Sequence, residues 1–99
     1  QKCMSVYAAS KSAIEASVRT MALELSMRNI RINCVVPGAV RTPMMDMTEE
    51  EALHAIVQKQ LLGVGKPEDV ANMIAFLLSD ASSFVTGRAM FTDGGMLGQ

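Results

Sequence analysis

The seven residues Ile30–Val36, I-R-I-N-C-V-V, constrain this chain more than any other stretch. They are rich in β-branched side chains and stop at Pro37-Gly38, so they read as a strand. The C-terminal half is apolar at consecutive positions, the pattern of a strand covered on both faces in a parallel sheet. Such a strand needs a crossover and a parallel partner. Both follow in the chain. Ala39–Met47 lacks a period and reads as a loop, and Thr48-Glu49-Glu50-Glu51 reads as an N-cap with acids in the first turn of a helix to about Leu62. Pro67, with Glu68 and Asp69 behind it, opens a further helix to about Asp80, with Val70, Ile74, Leu77 and Leu78 on its buried face. Ser82-Ser83 is a turn, Arg88–Thr92 the second strand, and Asp93 caps the turn into Gly94-Gly95.

Ahead of the first strand, Tyr7, Lys11, Ile14, Val18, Met21 and Leu25 recur at alternating intervals of four and three. That is one face of a helix over Val6–Arg28, ending near Asn29. The order helix, strand, helix, helix, strand is α/β with a parallel crossover. Two strands alone do not make a stable parallel sheet, so these 99 residues are expected to be part of something larger. A composition 49% apolar and 19% charged, richer in core-formers than a lone small domain needs, agrees with that. Gln1 in place of an initiator methionine points the same way.

The totals also narrow the partners. A net charge of -1 without blocks of like charge argues against nucleic acid and against an anionic membrane. No apolar run approaches the ~20 residues of a membrane span, and no signal-peptide pattern is present. Cys3 and Cys34 form neither a disulfide framework nor a zinc spacing, which points to a reduced, cytoplasmic setting. His54 has no ligand partners in the pattern and reads as a helix-surface residue, and Cys34 as a buried strand side chain.

Tyr7 and Lys11 stand at i and i+4, where their side chains can meet on the helix's inward stripe. A free phenol titrates at about 10, too high for acid/base work near neutrality. A nearby ammonium favours the phenolate. The pair therefore reads either as a tuned general acid/base or as a half-buried tyrosine with a snorkelling lysine. Spacing alone does not separate the two.

Four motifs in order do more. Y-A-A-S-K, then I-R-I-N-C-V-V-P-G-A-V-R-T-P-M, then G-K-P-E-D-V-A-N-M-I-A-F-L-L-S-D-A-S-S-F-V-T-G and the closing T-D-G-G resemble the short-chain dehydrogenase/reductase family. The resemblance covers Ser5–Gly95 and is strongest to the 3-oxoacyl-acyl-carrier-protein reductase type. It implies a Rossmann-type doubly wound sheet in a single domain, of which residues 1–99 are the C-terminal portion, with two strands and three helices here and the nucleotide-binding half absent. It implies NAD or NADP as cofactor, and hydride transfer between the nicotinamide and a carbonyl or secondary alcohol. Tyr7 matches the catalytic tyrosine that protonates the carbonyl oxygen. Lys11 matches the lysine that favours the tyrosinate and hydrogen-bonds the nicotinamide ribose. Pro37 and Gly38 match the turn beside the nicotinamide ring, while Val40, through its backbone, and Thr42, through its hydroxyl, match the positions that hold the carboxamide. Such a site at the carboxyl end of a parallel strand is where open α/β sheets bind ligands, and a Pro-Gly turn lets backbone approach a flat ring.

Met44, Met45 and Met47 fall where the family has a mobile substrate lid, and flexible thioethers suit an apolar or amphipathic substrate. Gap-filling explains them equally well. The family's glycine-rich T-G-x-x-x-G-x-G turn, its N-A-G stretch and its catalytic serine have no match in these residues. The chain alone is therefore expected to be inactive. The resemblance also implies a homodimer or homotetramer and a small-molecule substrate, with neither nucleic acid nor membrane as partner. The rival readings are a non-catalytic relative that senses cofactor or serves as a scaffold, and a solitary structural domain.

Overall fold

The structure, a computed structural model, describes residues 4–41 and 50–96. Helix α1 spans Met4–Leu25 and runs into a 3-10 turn at Ser26–Arg28. Strand β1 is Cys34–Pro37, helix α2 Glu50–Lys59, helix α3 Pro67–Leu78, and strand β2 Ala89–Thr92 after a 3-10 turn at Asp80–Ser82. Strands β1 and β2 pair directly. Cys34 N–H donates to Arg88 at 2.9 Å and Gly38 N–H to Thr92 at 3.2 Å, so both strands advance together and the pair is parallel. The predicted α/β order stands.

The chain divides into two compact units, one of Gln1–Cys34 with Leu77–Met90, the other of Val35–Phe76 with Phe91–Gln99. In the first, α1 contains neither glycine nor proline and is rich in alanine, which favours a long helix. Ser10 and Thr20 return their hydroxyls to the carbonyls of Val6 and Ala16, one turn back along the same helix. The helix closes at Asn29, which takes φ +60°. Asn29 N–H then donates to Ser26 and Ile30 N–H to Leu25, a Schellman closure. That is the predicted end.

The predicted inward stripe is rotated. Val18 and Ala22 are buried, with Lys11, Glu15 and Leu25 half-buried, so the face runs 11, 15, 18, 22, 25. Tyr7, Ile14 and Met21, expected inside, are 61%, 57% and 38% exposed. Ala22 takes the inner place because Gly87, at φ +73°, packs there: a Cβ on Gly87 would lie 3.0 Å from that of Ala22. A methionine at the same spot has no room. In α3, Leu77 is buried and Val70 half-buried as expected, but Ile74 is exposed, Leu78 is 80% exposed, and Met73 turns inward instead.

The first strand is shorter than the predicted Ile30–Val36: before Cys34 one backbone bond remains, Gly87 N–H to Ile32 at 2.7 Å, and side chains join the ladder around it. Ile32 N–H donates to Thr86 Oγ1 and Arg88 N–H to Asn33 Oδ1, while Asn33 Nδ2 donates to Val85. Arg31 turns its guanidinium to the carbonyls of Leu77, Ser79 and Val85 at 2.9–3.2 Å. Ser82, 1% exposed, adds its hydroxyl to Leu77 and Ser79, both at 3.0 Å. Together they satisfy carbonyls at the end of α3 that the helix leaves without a donor. Cys34 is half-buried rather than buried. Burial, and secondarily the charge of Glu15, push its thiol above the ordinary value.

In the second unit, α2 carries Glu50 and Glu51 at its start and Lys59 at its end, complementing the helix dipole. It stops at Lys59 rather than near Leu62, where Gly63 at φ +79° donates its N–H back to Gln60. The proposed cap Thr48 lies outside the described residues. Pro67 begins α3 as predicted, and Asp69 reaches back to accept the Lys66 N–H at 2.8 Å. Asp93 caps its turn as predicted, accepting the Gly95 N–H at 3.0 Å. His54 is on the exposed face of α2, 3.0 Å from Gln58 Nε2.

Candidate functional site

Two groups of the expected site residues fall in the described structure. In the first unit, α1 brings Tyr7 and Lys11 together, with Lys11 Nζ 5.9 Å from the centroid of the Tyr7 ring. One helical turn separates them, so no other element is needed to set this distance. Lys11 is half-buried while Tyr7 opens to solvent. The arrangement places a positive charge over the phenol's ring and leaves the phenol reachable by a second molecule.

In the second unit, Pro37 ends β1 and the chain turns at Gly38 into Ala39, Val40 and Arg41. This segment is held by a parallel bridge between Val40 and Gly65. Gly65 N–H donates to Ala39 at 3.0 Å and accepts, through its carbonyl, the Arg41 N–H at 2.8 Å. In such a bridge the intervening residue turns its own N–H and C=O the other way. Val40 therefore keeps its own N–H and C=O off the bridge. Thr42, Met44, Met45 and Met47 lie outside the described residues.

Gly38 has a structural reason of its own. A Cβ there would collide with Gln60 Oε1 and lie 2.8 Å from Asp93, so the missing side chain is space already used by the protein. Sequence reasoning missed this neighbour. Gln60 follows α2 immediately and is only 3% exposed. Its carbonyl oxygen accepts the Ala39 N–H, and its Nε2 donates to the carbonyls of Gly63 at 2.6 Å and Ala39 at 3.2 Å. No local pattern marks it, since a glutamine after a helix ordinarily faces water. Beside it is a cavity of about 470 Å³ whose lining includes Ala39, Val40, Gly65 and Thr92. Among the described residues no three His, Cys, Asp or Glu side chains gather as metal ligands. Nor is any helix among them long and apolar enough to cross a membrane.

The chain matches the family described as enoyl-(acyl carrier protein) reductase over residues 1–97. It is similar to a 3-oxoacyl-[acyl-carrier-protein] reductase FabG of Thermotoga maritima, 47% identical over 92 residues, covering 92% of this chain and 37% of that protein. It is also similar to (2S)-[(R)-hydroxy(phenyl)methyl]succinyl-CoA dehydrogenase subunit BbsD of Thauera aromatica, 38% identical over 90 residues, covering 90% of this chain and 36% of that one. The crystal structure of a 3-oxoacyl-[acyl-carrier protein] reductase from Brucella melitensis superposes with a TM-score of 0.88 at 37% identity, covering 91% of this chain and 34% of that chain. The chain thus spans little more than a third of the length of these relatives.

Proposed function

Because the chain belongs to the short-chain dehydrogenase/reductase family, as part of its Rossmann-type α/β fold, we propose that the protein bearing it is an NAD(P)-dependent oxidoreductase. It would interconvert a carbonyl and a secondary alcohol, with 3-oxoacyl compounds as the substrate class that its relatives' names suggest. The observation that carries this reading is the Tyr7–Lys11 pair, an exposed phenol with an ammonium 5.9 Å from its ring centre. Tyr7 gives its phenolic proton to the carbonyl oxygen in reduction and recovers it in oxidation. Lys11 favours the charged phenolate that this leaves behind, and its remaining N–H donors suit ribose hydroxyls. The turn Pro37–Val40 receives the nicotinamide end, Val40 through backbone groups that its bridge to Gly65 does not use. When bound, the dinucleotide supplies or accepts the hydride. Met44, Met45 and Met47 suit an apolar acyl chain.

The test is Tyr7→Phe in the full-length protein. Turnover should fall by at least about 100-fold, the range for loss of a general acid, while the dissociation constant for the dinucleotide stays within about twofold. Retained turnover would overturn the role of Tyr7. A wild-type protein that binds dinucleotide without turnover would favour the non-catalytic reading.

A further inference from the structure

Among the described residues of the second unit, Gln60 is the one buried polar side chain, and it is spent entirely on backbone. A primary amide offers an acceptor and a donor on one planar face, the same pair that a peptide unit presents. Gln60 turns that face to Ala39 and engages both its N–H and its C=O, as a neighbouring strand would. The second Nε2 hydrogen reaches Gly63, just beyond the end of α2. Ala39 lies between Gly38 and Val40, two of the residues assigned to the nicotinamide end. A short glutamine tether thus joins the exit of α2 to that turn, and the turn has no other side-chain partner of this kind among the described residues.

Resting on the functional reading above, we propose that Gln60 is a positioning residue: it holds the Gly38–Val40 backbone in the geometry that receives the nicotinamide, without touching the cofactor itself. Burying an amide this deeply is unfavourable unless every polar group is used. Here the hydrogen bonds fix one short segment, and Gly38 is bare on the side that admits the amide oxygen.

The experiment compares dinucleotide with ADP-ribose, which lacks the nicotinamide, in the full-length protein. Gln60→Leu keeps the approximate volume and removes all three bonds. It should weaken dinucleotide binding by about tenfold, the scale of a lost set of buried hydrogen bonds, while ADP-ribose affinity stays within about twofold. A general loss of structure would weaken both. Should Gln60→Leu not fold, Gln60→Glu keeps the size and the acceptor but loses both donors, and the same split is expected. A Gln60 variant that keeps both affinities, or loses both alike, beside a wild type that binds dinucleotide, overturns this inference alone. A wild type that binds no nicotinamide dinucleotide overturns the functional reading and the inference with it.

Discussion

Cys34 stands at the start of β1, half-buried and near the carboxylate of Glu15. Burial first, and that charge second, disfavour its thiolate. The thiolate is the reactive form, so iodoacetamide should modify Cys34 at pH 8 more slowly than it modifies a model thiol. Equal rates would show that the site is open. The same shift bears on stability. A thiol whose native value is raised contributes stability that is complete below the unfolded value of about 8.5 and is lost as pH rises through the raised native value. Alkaline titration should therefore loosen the first unit, and Cys34→Ala should reduce that sensitivity, both followed by circular dichroism.

At the scale of elements, the end of α3 depends on two side chains drawn from far along the chain or just beyond it. Arg31 and Ser82 together reach the carbonyls of Leu77, Ser79 and Val85. Ser82→Ala in the full-length protein should cost about 1–2 kcal/mol, since it removes the two bonds of a buried hydroxyl to the carbonyls of Leu77 and Ser79; an unchanged denaturation midpoint would show the cap to be redundant. The sequence made some of these boundaries readable and hid others. Asn29 and Pro67 act on their own neighbours, through φ and a missing N–H, so helix ends there could be read locally. The phase of the α1 stripe could not. Ile14 and Met21 are more apolar than Glu15 and Ala22, yet the second pair faces inward because Gly87, 65 positions beyond Ala22, demands a small neighbour. Arg31 and Asn33 look like polar interruptions of a strand, yet Asn33 stands in for part of its ladder and Arg31 is spent on carbonyls at and beyond the end of α3. Tyr7 and Lys11 were legible because one helical turn sets their meeting. Gln60 was not, because its partner Ala39 stands 21 positions earlier in the chain.

At the scale of the whole molecule, the described apolar core is small: Val18, Ala22, Val36 and Leu77. Large apolar side chains elsewhere remain open, including Leu23 at 76%, Met27 at 91%, Leu62 at 84% and Phe84 at 103%. Burying a side chain of this kind contributes about 1.5–3 kcal/mol, while ordering each backbone residue costs about 1–2 kcal/mol. The 99-residue chain by itself should therefore show helical circular dichroism, bind a hydrophobic dye and melt without a sharp transition. A calorimetric peak whose enthalpy equals the van't Hoff value would instead establish a self-sufficient domain. The pairing of the two strands also has a consequence for synthesis. Roughly fifty residues separate Pro37 from Ala89, and a ribosome needs about 3–10 s to translate them. Helix α1 can form as soon as it emerges, whereas β1 must wait for β2, so the newborn chain carries Cys34–Pro37 for several seconds as a strand without this neighbour.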